Sequence, residues 1–163
     1  MQIEKIVINA SPLVLLFKSH FEWLLPKLFT EIIVPASVRD EVSRGEDIAS
    51  HKLYDYESEW ITRGLIQIPD EISVWNLGDG ESEVLSRAFN NEKKYRAVID
   101  DRADGHCAKT LDIPTLGTGG ILVLAKKRGL INSVSDALGR LQNVGLYISD
   151  EITELLKKQA GEI

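Results

Sequence analysis

The stretch "AVIDDRADG" (residues 97–105) runs apolar and then stops on two adjacent aspartates. A short apolar run of this kind reads as a strand covered on both faces. The segment behind it, "RADGHCAKTLD", has the composition of a helix, and "IPTLG" then gives another short apolar run. Strand, helix and strand in that order predict a parallel pair joined by a crossover. Two carboxylates at the end of a buried strand are costly unless something gathers there to neutralise them.

The same alternation continues on either side. "KIVIN" (5–9) predicts a first buried strand, followed by "SP", with Ser11 as a natural N-cap and Pro12 as a natural first helical residue. "LVLLFKSHFEWLLPKLF" is interrupted at Pro26, giving two helices or one broken one, and "EIIVP" (31–35) predicts a second strand. "ASVRDEVSRG" predicts a helix ended by Gly45, and "IASHKLYDYESEWITRG" a longer amphipathic helix closed at Gly64. "LIQIP" reads as a short strand, "DEISVWNLGDG" as a loop and "ESEVLSRAFNNE" as a helix. Beyond "IPTLG", the segments "TGGILVLAKKRGL", "SVSDALGRLQNVG" and "SDEITELLKKQAG" predict three closing helices. The expected fold is a three-layer α/β domain, a central parallel sheet with helices on both faces. No repeat, low-complexity segment or linker divides the chain, so residues 1–163 are expected to form a single domain.

Composition sets the outer limits. With 44% hydrophobic and 27% charged residues the chain is that of an ordinary globular protein. Its one cysteine, Cys107, excludes an intramolecular disulfide and suits a reducing, cytoplasmic setting. "MQIEKIVINASP" carries an early acid and only a short apolar run, so no signal peptide is expected there, and no apolar stretch reaches the roughly 20 residues that span a bilayer. A net charge of −6 argues against a protein that coats nucleic acid, but not against an enzyme that holds a cation with carboxylates and grips phosphate locally.

Ligands of parallel sheets gather beyond the carboxyl ends of the strands. Asn9 ends the first strand there, Asp100 ends the later one, and Asp101 opens the following turn. Glu81 stands three, four and seven residues before Val84, Leu85 and Ala88, which turns it toward a buried face. Glu41, three after Val38 and one before Val42, lies near the inward stripe of its helix, with Asp40 pointing away. Glu83 faces Arg87 at i+4, the pattern of a surface ion pair. Singly, each acid has a plainer reading: Glu81 favoured by the helix dipole, Asp101 a cap for residues 102–112, Glu41 at the core margin. Jointly, inward acids at several element ends repel unless a cation neutralises them, and oxygen donors of this kind suit Mg²⁺ or Mn²⁺.

Other signals carry less. "GTGG" (117–120) lacks the lysine of a P-loop and reads as close strand-to-helix packing, with Thr118 a candidate phosphate contact. Cys107 reads as a packed thiol. His20, His51 and His106 lack ligand spacing, and Trp23, Trp60 and Trp75 do not interleave with basic residues. Arg102, Lys126, Lys127 and Arg128 are candidate contacts to a phosphate backbone.

The segments "VINASPLVLL", "IIVPASVRDEV", "LGDGESEVLSRA", "VIDDR" and "LGTGGILVLAKKRGLI", in that order, resemble the PIN-domain proteins. The likeness is closest to a prokaryotic subfamily related to the VapC-type toxins of toxin–antitoxin pairs, and it runs from about Ile6 to Gly161. The resemblance implies a metal-dependent ribonuclease whose acidic pocket takes in Asn9, Glu41, Glu81, Asp100 and Asp101, with Ser11 lining its first wall. It also implies an RNA substrate, a small antitoxin partner and a homodimer formed through the early helices, where large apolar side chains outnumber what one buried face needs. Glu41, Glu81 and Asp100 would hold one or two Mg²⁺ or Mn²⁺ ions. Asn9 would lend a neutral carbonyl or orient a water, and Asp101 would act from behind or as a cap. Departures from the family pattern are Asn9 in place of the first aspartate, Glu81 in place of an aspartate, and Gly105 in place of a second arginine. The first of these favours a rival expectation, a catalytically weakened PIN-like module with a regulatory or partner-binding role. A response-regulator-like domain ranks behind both, because its first strand would end in acids where this one ends in Asn9.

Overall fold

Ile6, Val7 and Ile8 are all fully buried, so β1 (Lys5–Ile8) is covered on both faces. The structure is a computed structural model and describes residues 5–45, 66–89, 95–100 and 102–163. Three further strands, β2 (Glu31–Ile33), β3 (Arg96–Val98) and β4 (Thr115–Leu116), join β1 in a four-stranded parallel sheet of order β2-β1-β3-β4. The register sets Ile6 opposite Ile32 on one side and opposite Arg96 on the other, and Val98 opposite Leu116. The α/β architecture expected from the alternating runs is the one found.

The described helices are α1 (Ala10–Lys18), α2 (Leu24–Leu28), α3 (Ala36–Ser43), α4 (Asp70–Ser73), α5 (Asp79–Phe89), α6 (Arg102–Thr110), α7 (Thr118–Lys127), α8 (Val134–Asn143) and α9 (Asp150–Gln159). Helix α5 packs on β1 and β3 and against α3, and α7 packs against α2, α8 and α9. No described helix is long and apolar enough to cross a membrane.

Several local expectations need correction. Helix α1 begins two residues early: Asn9, not Ser11, is its cap, and Ser11 is an exposed residue of the first turn. Pro26 does not break the chain. It sits in the first turn of α2, where a missing N–H costs nothing. The break lies upstream, in the turn at His20 (φ 61°). Arg140 of α8 fixes that turn by donating to the Ser19 carbonyl and lying 4.0 Å from the Phe21 ring centroid. Residues 66–69 form no strand, and α4 stands inside the segment read as a loop. The longer helix expected around residues 48–64 lies outside the described residues, as do His51 and Trp60. The apolar surplus of the early helices is mostly absorbed at home: Leu13, Leu16, Phe17, Phe21, Leu24, Leu25, Leu28 and Phe29 are all core, while Trp23 is 39% exposed.

Candidate functional site

The N–H of Asn9 donates to the Val98 carbonyl at 3.1 Å, continuing the ladder and placing the carboxyl ends of β1 and β3 side by side. Asn9 is 2% exposed. Its Oδ1 accepts the Ala10 N–H at 2.8 Å, and its Nδ2 donates to Oδ2 of Asp104 at 3.4 Å. Asp100 stands two residues past the end of β3, and its carboxylate accepts the backbone N–H of Thr118 at 2.9 Å and the Thr118 hydroxyl. The charge thereby meets the first backbone N–H of α7, where a helix terminus favours an anion.

Two acids converge across the seam between α3 and α5. A cleft of about 640 Å³ opens there, with Ser37, Asp40, Glu41 and Arg44 on one wall and Asp79 and Glu81 on the other. Partial removal from water pushes the Glu41 carboxyl above its ordinary value, the Glu81 charge adds to the push, and Arg44 opposes it. Asp40, expected to point away, also lines the cleft. Gly80 keeps the floor open. A Cβ on it would lie 3.6 Å from Asn9 Oδ1 and 3.6 Å from Glu41 Oε1, in contact with both oxygens.

Deeper in the same seam, Glu83 overturns its surface reading. It is 5% exposed, accepts the Ser37 hydroxyl at 2.5 Å and lies 3.7 Å from Arg87 Nη2. The i+4 partner is the one expected, but α3 covers the pair, so a surface pair becomes an internal brace between the helices that line the cleft.

The remaining sequence candidates are scattered. Thr118 is fully buried and gives its N–H and hydroxyl to Asp100, which makes it a clamp on that carboxylate. Lys126 pairs with Glu162 at 2.8 Å, and Arg128 donates to the Leu28 carbonyl at 2.9 Å. These cations and Lys127 stand at the far end of α7 from Thr118, ~12 Å along the helix axis. Arg102 opens α6, and Asp101 lies outside the described residues. Cys107 is fully buried, and burial, with the Asp104 charge behind it, pushes its thiol up, as suits a packed residue. His20 and His106 are exposed, and Trp75 packs against the core from a partly buried position.

Sequence reasoning missed Asp104, which is 1% exposed. The signal was present, since Asp104 precedes the buried Cys107 by three and Ala108 by four, the rule already applied to Glu81. Ser37 and Gly80 were also missed, and nothing local to either announces its role.

Glu41, Glu81 and the Asn9 carbonyl are hard oxygen donors. The push on Glu41 and the space kept open by Gly80 both fit a small cation such as Mg²⁺ or Mn²⁺. Among the described residues, no three of His, Cys, Asp and Glu stand close enough to hold a metal by themselves. A cation there would need the Asn9 amide oxygen as well as the two carboxylates.

A family model described as a PIN domain matches residues 5–162. Neither the search of curated proteins nor that of solved structures returned a match.

Proposed function

Since the chain belongs to the PIN-domain family, whose members are in general metal-dependent nucleases, we propose that it hydrolyses RNA phosphodiester bonds with Mg²⁺ or Mn²⁺, as the toxin of a VapC-related toxin–antitoxin pair. The observation that carries this reading is the cleft where Glu41 and Glu81 face each other beside the Asn9 carbonyl. Glu41 and Glu81 would hold the ion, with Asn9 Oδ1 as a neutral third donor. When bound, the ion supplies Lewis acidity, activating a water and offsetting charge on the attacked phosphate. Arg44, on the wall of the cleft, would hold a phosphate of the RNA chain. Asp100, held by Thr118, keeps the end of β3 in place and adds negative potential at the carboxyl end of the sheet. A small antitoxin partner, a cytoplasmic setting and a homodimer belong to the same proposal. Trp23, exposed beside the early helices, is an aromatic that a dimer face would cover.

The test is cleavage of a generic RNA by the purified protein with Mn²⁺, Mg²⁺ or EDTA, together with Glu41→Gln and Glu81→Gln. Metal-dependent cleavage that both substitutions abolish supports the proposal. Cleavage that survives both, or none with either metal, defeats it.

A second reading has its own support. Position 9 is an amide and Asp100 is engaged by Thr118, which suits a PIN-like regulatory or partner-binding module with a weakened site. Calorimetric titration separates the two, because a weakened site takes up Mn²⁺ poorly.

A further inference from the structure

We propose that Asp104 is a positioning residue of this site: it locks the Asn9 amide in the one orientation that turns Oδ1 toward Glu41, and its charge is the reason that position 9 is neutral. The first part rests on the cleft reading above; the second stands on the contact alone.

An asparagine amide has two orientations, and here both ends are committed. Oδ1 takes the Ala10 N–H at 2.8 Å, and Nδ2 reaches Asp104 Oδ2 at 3.4 Å. Rotating the amide by half a turn would set its NH₂ against a backbone N–H and its carbonyl against a carboxylate. Both residues are buried, at 2% and 1% exposure, so water does not relieve either mismatch. The Ala10 contact by itself accepts an aspartate at position 9 equally well, since a carboxylate is as good a cap. Asp104 removes that choice, because two carboxylates in buried contact repel. The result is one carboxylate and one amide where two carboxylates would clash, a neutral oxygen beside the space above Gly80, and a link between the end of β1 and the helix that follows β3.

The geometry has a reciprocal solution. Asn9→Asp with Asp104→Asn keeps the cap, reverses the side-chain hydrogen bond and conserves the charge. Thermal unfolding in EDTA of the wild type, N9D, D104N and the double variant tests this directly. N9D is expected to melt about 5 °C lower, and the double variant within about 2 °C of wild type. A double variant no more stable than N9D overturns the pairing.

Mn²⁺ calorimetry tests the positioning. D104N retains an acceptor for Asn9 and is expected to weaken binding by about threefold; D104A frees the amide and weakens it by about tenfold. Wild-type affinity in D104A overturns the positioning role, as does an equal loss in both variants, which would mark Asp104 as acting through charge alone. If D104A does not fold, the comparison of D104N with the double variant still decides. If the wild type takes up no Mn²⁺, the nuclease reading falls together with the positioning role, while the cycle in EDTA decides the pairing.

Discussion

Glu81 and Glu83 stand two residues apart on α5, on opposite sides of the same contact with α3, and their surroundings differ completely. Glu83 is closed in, takes the Ser37 hydroxyl and lies beside Arg87. Glu81 is half-exposed and faces Glu41 across the cleft, a like charge that raises the Glu41 carboxyl. One seam thus carries an acid set against a cation, which joins the helices, and two facing acids whose repulsion Arg44 offsets only in part. A carboxylate that already has its partners is structure. Carboxylates that lack them, in an accessible place, mark a site that a cation completes.

The largest expected effect lies on the closed side. Glu83→Ala takes the facing carboxylate from the partly buried Arg87 and leaves the Ser37 hydroxyl only the Asp79 carbonyl, and should cost ~2 kcal/mol in urea unfolding. If Glu83→Ala costs no more than Glu81→Ala, the two sides do not differ and the comparison fails.

Much of this was legible in the sequence, and the parts that were not share a cause. The strands were legible because short apolar runs separated by helical segments have few other readings, and their carboxyl ends located Asn9 and Asp100. Burial of Glu83 was not, because an i, i+4 pair looks the same whether or not a distant helix lies over it; Ser37, 46 positions earlier, supplies the cover. Lys126 likewise looked free because its partner, Glu162, is 36 residues on. Asn9 and Ser11 are both good caps, and only the extent of the β1–β3 ladder decides between them. Local periodicity reports which way a side chain faces, not what arrives to meet it.

The open side should behave in the opposite sense. Glu41→Gln removes one of two facing charges. Without metal it should melt at the wild-type temperature or slightly above, a gain of no more than ~1 kcal/mol. The sign follows from the direction of the shift. A carboxyl whose folded pKa lies above its unfolded value of 4.5 costs stability when ionised, so the gain is present at pH 7 and disappears as pH falls through the carboxylate range. With Mn²⁺ the order reverses, since the ion stabilises the wild type and not the variant. A clear loss of stability in EDTA would place Glu41 with Glu83 as a structural acid.

Closing the floor of the cleft sharpens the contrast without touching a charge. Gly80→Ala puts a methyl where Asn9 Oδ1 and Glu41 Oε1 each lie 3.6 Å away and Val38 Cγ2 lies 3.3 Å away. The position is helical, so alanine's better propensity offsets the tight contact, and the unfolding free energy should change by less than ~1 kcal/mol. Mn²⁺ affinity and RNA cleavage should both fall, because the methyl occupies the space between the donors. Unchanged affinity would show that the ion does not sit there.

The smallest effect comes from Glu162, which separates the two variables that the seam confounds. Glu83 is both paired and buried; Glu162 is paired but in reach of water. Its carboxylate accepts from Lys126 Nζ at 2.8 Å and from the N–H groups of Val134 and Ser135 at the start of α8, and these bonds, the Lys126 bond foremost, lower its pKa to about 2. A folded pKa below the unfolded value means that the proton prefers the unfolded chain. The contribution is therefore complete above pH 4.5 and is lost as pH falls through about 2. Glu162→Gln keeps one oxygen for the α8 amides and gives up the charge opposite Lys126, so at pH 7 it should lower the melting temperature by only about 2 °C. The difference from wild type should shrink on acidification and vanish near pH 2. If Glu162→Gln instead costs as much as Glu83→Ala, and costs the same at every pH, pairing without burial is enough to make an acid structural. Accessibility would then no longer distinguish Glu83 from the acids of the cleft.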